Sequence, residues 1–521
     1  MELHGRNIIA GTVSQIPPHR CDEQLSKSQT YISHNPITGE KLPGEFFTCT
    51  SHEVSKAVSS AEAAYRELLD TPPLKIATFL QTVAEMLVTQ KEVIINRCAL
   101  ETALPRTPRL ESEFIRVATT LNMYAEMISN GGVAQSCITE ALPDRTPVPR
   151  PHLQMSNIGI GPIVVIEASN FPLAFGVLGN DTASAWAAGC PVIAKAHPLH
   201  PGTSEIIAGI ICDSLAKAGL PNGMFSMLHG GPEVVESLVK HPGIRGVGFT
   251  GSHKVGIAIR EYASERPDPI ELSLEMGSVN PLFIFEEALQ NDTAKLAEQV
   301  VNAALGSSGQ VCTSPGIIFI PSSNAGLNFQ SYLTDFYLAS GVHTLLGENI
   351  ASSFRAKVLQ CSKVPGVSSA STDIPRDASQ CQVAPAIFTT SSAVFMNTLA
   401  LREENFGPSL LIVECAEKDF PAMAKLFAGE LTAMVHCPTE LVGAMPHLKE
   451  LCATLVPRVG RLVFNGFSPG VELCRSINHS GPWPASSSRF SAVGPDAVMR
   501  WVRRLCFQNA PAAILPRIIQ A

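Results

Sequence analysis

The sequence predicts an α/β fold with doubly wound, mostly parallel sheets and a helical opening segment. Three observations predict it. Short continuous apolar runs such as residues 161–166 and 191–195 lack polar alternation, the pattern of strands covered on both faces. Segments with helical spacing lie between such runs, so strands and helices alternate along the chain. The 521 residues, 45% hydrophobic and 16% charged, are enough to bury several cores and too apolar for global disorder.

In chain order, residues 1–34 read as polar and irregular, and Asn35-Pro36-Ile37-Thr38-Gly39-Glu40 as a turn. From Ser51 to Leu69, Val54, Ala57, Val58, Ala61 and Tyr65 recur at helical spacing, and Ser51 offers a cap. Residues 74–88, 93–100 and 112–128 read as further helices, broken near Pro105 and Pro108. Residues 143–151 are too proline-dense for a central strand and read as an arm leaving the globule, suited to assembly. Strands follow at 161–166, 191–195, 224–228 and 246–250, separated by helices at 182–189, 202–218 and 232–239. Dinucleotides bind such sheets beyond the carboxyl ends of the strands. A second α/β unit runs from about 271 to 471, with strands at 281–285, 316–320, 409–413 and 461–464. Its polar stretch 362–384 reads as a surface loop, and the tail from Val493 as a helix followed by a proline-rich end. No internal repeat is visible.

Composition narrows the function classes. The net charge of −8, without a Lys/Arg run, disfavours a nucleic-acid partner. No apolar stretch is long enough for a transmembrane helix, and no secretory signal or C-terminal address is legible. A cytoplasmic protein without a membrane partner is the expectation. The fourteen cysteines include no CxxC pair, so no structural zinc or dithiol site is expected, and most should be reduced core residues. No metal is expected.

One cysteine stands apart. Cys312 lies in Gly309-Gln310-Val311-Cys312-Thr313-Ser314-Pro315-Gly316, Glu275 in Leu274-Glu275-Met276-Gly277, and Asn170 in Ser169-Asn170-Phe171-Pro172. Together they supply a thiol nucleophile, a base and an amide donor for an oxyanion. Phe249-Thr250-Gly251-Ser252, with Gly256 beyond, ends a strand and opens a helix. Small residues there let backbone amides approach phosphate, although a Gly/Ser turn alone is more often only a turn. Lys195 ends another strand, where a lone lysine is usually just a solvated charge.

The order and spacing of these segments resemble the aldehyde dehydrogenase superfamily, over roughly residues 35–516. The resemblance implies a Rossmann-type nucleotide-binding domain (1–141 and 158–270), an α/β catalytic domain (271–478), and oligomerisation or bridging segments (142–157 and 479–521). It implies that Cys312 attacks an aldehyde, that Asn170 and the Cys312 N–H hold the oxyanion, and that hydride leaves to a nicotinamide. Glu275 then activates water to release the acid. Lys195 matches the lysine that holds the adenosine ribose, and Gly251, Ser252 and Gly256 the nucleotide loop. Glu404, in Glu403-Glu404-Asn405-Phe406-Gly407-Pro408, matches the glutamate on the nicotinamide ribose, and Phe406 flanks the nicotinamide. The family often has a glutamate three residues after the lysine, where this chain has Pro198. Lacking that carboxylate, with His197 or His200 able to donate to a 2′-phosphate, the site favours NADP, with NAD the alternative. A homodimer or homotetramer is implied.

Finer motifs resemble the α-ketoglutaric semialdehyde (2,5-dioxopentanoate) dehydrogenases and their bacterial long-chain aldehyde relatives. They are Ala168 to Phe175, Ala187 to Val192, Lys195 to Glu205, Glu275 to Pro281, Gly309 to Gly316 and His479-Ser480-Gly481-Pro482-Trp483-Pro484-Ala485. Gly277 departs from that subgroup, which has Ser. A semialdehyde that carries a carboxylate needs a cation, with Arg116 as first candidate and Arg475 and His479 as others. Phe171, Phe175, Phe467 and Trp483 would instead suit a fatty or aromatic aldehyde. A catalytically lapsed nucleotide-binding protein is the remaining alternative, which the presence of thiol, base and amide disfavours.

Overall fold

Two seven-stranded sheets carry the chain in the computed structural model, which describes residues 3–15, 30–290, 292–375, 378–438 and 445–516. The first runs Glu271–Glu275, Gly246–Thr250, Ile163–Ile166, Val192–Lys195, Phe225–Leu228, Ile8–Ile9, Thr12–Val13. Its first five strands are parallel. Their residues alternate between two cores. Ile163, Val165, Val192 and Ala194 pack under the helices Pro73–Thr89, Glu111–Ser129 and Pro201–Ala218, while Val164, Ile166, Ile193 and Val247 pack under Ser51–Leu69, Pro232–Lys240 and His253–Ser264. Burial on both faces is why these strands read as unbroken apolar runs.

The chain steps from Ile163–Ile166 to Val192–Lys195 to Phe225–Leu228, then crosses back to Gly246–Thr250 on the other side. Strand order therefore reverses at the crevice between Ile163–Ile166 and Gly246–Thr250, where doubly wound sheets bind ligands. The strand ending in Glu275 pairs with Gly246–Thr250, so it belongs to this sheet, and a boundary at 270/271 falls ahead of it.

The second sheet runs Val367–Ser371, Ala386–Ser391, Ser409–Cys415, Ile317–Pro321, Leu282–Ile284, Glu430–His436, Val459–Phe464, parallel apart from its first strand. A third, antiparallel sheet joins Cys137–Thr139, Leu153–Gly159 and Val502–Gln508. Residues 143–151 form an exposed connection within it, pinned by the Leu142–Arg150 bridge.

Several expectations are corrected. Residues 1–34 are not all irregular, since Ile8–Ile9 pairs antiparallel with Phe225–Leu228. Two-residue strands leave no periodicity to read. The polar stretch 362–384 is more than a loop. Val367–Ser371 is an edge strand, and Gln382–Val383 pairs with His343–Thr344. An edge strand facing solvent needs no apolar face, which hid it. The helix Ser51–Leu69 has the expected bounds, but Thr50 caps it, in a reciprocal capping box with Glu53. The tail from Val493 forms a short 3₁₀ segment, Pro495–Trp501, and then the unforeseen strand Val502–Gln508. No helix among the described residues is long and apolar enough to cross a membrane.

Candidate active site

A cavity of about 1060 Å³ opens at the carboxyl ends of the first sheet and reaches the second unit. Asn170, Glu275, Cys312 and His479 line it, together with Lys195, His197, Gly251, Ser252, Glu404 and Phe406.

The Cys312 loop is held by its backbone. Ser307, Ser308 and Gly309 all have positive φ, and a Cβ on Gly309 would lie 2.1 Å from the Gly407 carbonyl oxygen. Asn280, fully buried and itself at φ 47°, donates from Nδ2 to the carbonyls of Cys312 (2.8 Å) and Ser314 (2.9 Å). Its Oδ1 accepts from Ser278 and Thr432 hydroxyls, both at 2.9 Å. Asn280 gives no sequence signal beyond its motif, because its work is local scaffolding. Burial pushes the Cys312 thiol up to about 12, and the Glu404 and Glu275 carboxylates add to the effect. The resting thiol is therefore protonated.

His479 Nε2 lies 3.5 Å from Cys312 Sγ. Burial lowers this imidazole to about 4, with the positive charges of Arg461, Arg116 and Arg500 reinforcing it. It is neutral and beside Cys312, so it does not supply the substrate cation expected of it. Glu275 ends its strand with Oε1 accepting from the Ser486 hydroxyl at 2.6 Å, while Oε2 is buried without a protein partner. Burial raises this carboxyl to about 8. Ser486, far along the chain, was missed by sequence reading.

Asn170 is buried, and its Nδ2 donates to the Gln310 carbonyl at 2.9 Å, two residues before Cys312. The Asn170 carbonyl accepts from Arg109 at 2.9 Å. Arg109 pairs with buried Glu113, whose Oε1 also accepts from the N–H groups of Leu173 (2.8 Å) and Ala174 (2.7 Å). A carboxylate among the apolar residues of the Glu111–Ser129 helix is the signal that would have found this brace.

Phe171 and Phe175 line the cavity, and Phe175 meets the His479 ring edge-on at 6.3 Å. The other substrate candidates lie elsewhere. Phe467 packs on His436 at 5.0 Å, Trp483 lies under the Arg260 guanidinium at 4.8 Å, and Arg475 is exposed. Arg116 is not part of the lining and donates to the Val471 carbonyl. Arg461, which sequence reading missed, donates to the Ser468 and Gly470 carbonyls, and its Nε is buried without a partner.

At the strand ends, burial lowers Lys195 to about 8, and the Glu167 and Glu233 carboxylates oppose that fall. His197 stacks on His200 at 5.2 Å, but His200 is fully buried, with Nε2 2.9 Å from the Ala168 carbonyl. It does not face a ligand. The surroundings of Lys195 are not free of carboxylates, despite Pro198. Gly251 N–H donates to the Glu275 carbonyl at 3.0 Å, and Ser252 caps the helix His253–Ser264. Gly256 sits against Met276, where a Cβ would come within 2.4 Å of the sulfur, so its smallness serves packing. Glu404, raised to about 8 by desolvation, lies so close to Gly277 that a Cβ there would be 1.9 Å from its Oε2. The departure at Gly277 thus makes room for this carboxylate. Among the described residues no cluster of three metal-ligating side chains occurs.

The aldehyde dehydrogenase family model matches residues 24–420. The alpha-ketoglutaric semialdehyde dehydrogenase 2 of Azospirillum brasilense is 35% identical over 94% of this chain and 93% of its own. The alpha-ketoglutaric semialdehyde dehydrogenase of Acinetobacter baylyi is 35% identical over 91% and 90%. Among solved structures, an aldehyde dehydrogenase C mutant of Pseudomonas syringae, complexed with NAD+ and octanal, superposes with a TM-score of 0.79 at 19% identity, covering 97% of both chains.

Proposed function

The chain belongs to the aldehyde dehydrogenase family and is an NAD(P)-dependent aldehyde oxidoreductase, and from that premise we propose that it converts 2,5-dioxopentanoate to 2-oxoglutarate through Cys312. The observation that carries the reading is the convergence of Cys312, His479, Asn170 and Glu275 on one cavity that Lys195 and Glu404 also line. The described residues fit a dinucleotide. Glu167 Oε1 and Thr250 Oγ1 are buried at the strand ends without protein partners, in a cavity of suitable size.

Lys195 and Glu404 would hold the two riboses, Gly251 and Ser252 the phosphates, and Phe406 the nicotinamide. Cys312 attacks the aldehyde carbon as its thiol proton passes to Glu275, the base raised to about 8, since a thiol held near 12 does not ionise beforehand. His479 Nε2, 3.5 Å from Sγ, orients the thiol but is too weak a base at about 4 to hold the proton. The second N–H of Asn170 Nδ2 and the Cys312 N–H are donors for the oxyanion of the resulting thiohemiacetal. A nicotinamide held beside Phe406 and Glu404 would supply the hydride acceptor that turns the thiohemiacetal into a thioester. Glu275 removes a proton from the water that hydrolyses the thioester. Pro198 leaves NADP admissible, as the sequence suggests, but the carboxylate that bears on the choice lies on another strand.

The charges of Arg116 and Arg461, which lie behind the cavity wall and both act on His479, would attract the substrate carboxylate without lining its site. Phe171 and Phe175 favour a second reading, an apolar aldehyde. We further propose that the first sheet, up to and including Glu275, binds the nucleotide, that the second unit carries Cys312, and that residues 142–157 and the strand Val502–Gln508 bridge subunits of a cytoplasmic homodimer or homotetramer.

The test is kcat/KM for 2,5-dioxopentanoate against hexanal, octanal and benzaldehyde, each with NAD and NADP. A preference of ~100-fold for the semialdehyde, about 2.7 kcal/mol, is expected. Preference for the apolar aldehydes would leave the chemistry standing and reject this substrate.

A further inference from the structure

Glu167 immediately follows the strand Ile163–Ile166, at the crevice where strand order reverses. It is only 2% exposed, yet it lines the cavity. One oxygen is fully engaged, Oε2 accepting from the His197 N–H and the Ser204 hydroxyl, both at 2.9 Å. The other, Oε1, has no partner. A buried carboxylate oxygen left unpaired is costly, so its retention beside a cavity points to a donor that arrives with a ligand.

The surroundings identify that donor. Lys195, which lines the cavity with Lys254 and Lys357, feels both Glu167 and Glu233. Glu233 lies at the start of the helix Pro232–Lys240, and its Oε1 accepts from the Gly231 N–H at 3.1 Å. A lysine whose charge is opposed by two carboxylates makes a poor site for a dianion and a good one for a neutral vicinal diol. The lysine donates to one hydroxyl and an unpaired carboxylate oxygen accepts from the other. His197 does not restore a positive charge, because burial holds it well below its ordinary value and it is neutral.

We propose that Glu167 accepts a hydrogen bond from the adenosine ribose 2′-hydroxyl and selects NAD over NADP, supplying from another strand the carboxylate that Pro198 lacks. The proposal rests on the nucleotide site at Lys195 described above, and it reverses the lean toward NADP that Pro198 alone suggests. A 2′-phosphate at the same place would press a dianion on Glu167 Oε1 and forfeit the bond.

The experiment is equilibrium binding by calorimetry, with no substrate present. NAD+, NADP+ and the 2′-deoxyadenosine analogue of NAD+ are titrated into the wild-type protein and into Glu167→Gln. We expect NAD+ to bind the wild type at least ~10-fold more tightly than either other nucleotide, the range of one hydrogen bond to a charged group. Glu167→Gln should shrink the NAD+/NADP+ ratio by ~10-fold. Equal binding of NAD+ and its 2′-deoxy analogue by the wild type would overturn the proposal, even if the variant failed to fold. So would an unchanged ratio in a folded variant. If no nucleotide bound the wild type, the site at Lys195 would itself fall, an outcome distinct from the loss of selectivity.

Discussion

Three titrating side chains around one sulfur set the chemistry at the residue scale. Cys312 is held protonated, His479 neutral, and Glu275 near 8. Glu275 must be ionised to take a proton from water. Turnover limited by thioester hydrolysis should therefore climb about tenfold per pH unit below about 8 and level off above it. In Glu275→Gln that limb should vanish. Rapid mixing should then show at most one slow burst of reduced nicotinamide per site and little steady-state turnover. A variant that kept its pH limb and its turnover would place the base elsewhere. The proposed nucleophile, base and amide donor stand out in the sequence because each sits in a short, distinctive string. His479 was seen but assigned the wrong task, because a sequence does not reveal that burial and three arginines keep its ring uncharged. Ser486 and Asn280 were not assigned roles, since a hydroxyl or amide used as a strut looks like any other.

Braces between elements decide where those side chains stand. The Glu111–Ser129 helix reaches the Asn170 loop through Glu113, which takes two loop N–H groups and pairs with Arg109 on the Asn170 carbonyl. Glu113→Gln keeps a carbonyl acceptor but removes the charge opposite Arg109. We expect a loss of about 2 kcal/mol in chemical denaturation, with kcat falling more than KM rises. Unchanged kcat would show that the loop holds its shape unaided. Several strands buried on both faces, such as Val192–Lys195, Phe225–Leu228 and Gly246–Thr250, were read within a residue or two, because a short, continuous apolar run bounded by Gly and Pro is too short for a buried helix and too apolar for a loop. The strands that escaped include the short, polar or edge strands Ile8–Ile9, Val367–Ser371 and Val502–Gln508, and also the central strands Ala386–Ser391 and Glu430–His436, where threonine, glutamate and histidine interrupt the apolar run. Their identity comes from a neighbour distant in sequence, which local pattern does not contain.

Over the whole molecule, the C-terminal segment binds the first sheet to everything else. Arg500, 6% exposed, pairs with Asp181 at 2.7 Å and donates to Ser273 at 2.9 Å and to Ser184 at 3.2 Å. Arg500→Met leaves the Asp181 carboxylate buried without its partner and should cost about 3–5 kcal/mol in a denaturant titration. Adding Asp181→Asn should return part of that loss, because the stranded charge is gone. Equal stability of the single and double variants would mean the cost lies in packing.

The same segment has a consequence for synthesis. Ser486, which holds the Glu275 carboxylate, Arg500, which neutralises Asp181, and the strand Val502–Gln508, which pairs with Leu153–Gly159, are all translated after both large sheets. At ribosomal rates of ~5–20 residues per second, the nascent chain spends many seconds with a nearly complete nucleotide sheet. Through that interval it has a lone buried acid, an uncovered strand edge and an unbraced base. Until those residues emerge, the polypeptide should need protection from aggregation and lack activity, and premature termination upstream of Ser486 should leave material that is degraded instead of a weak catalyst.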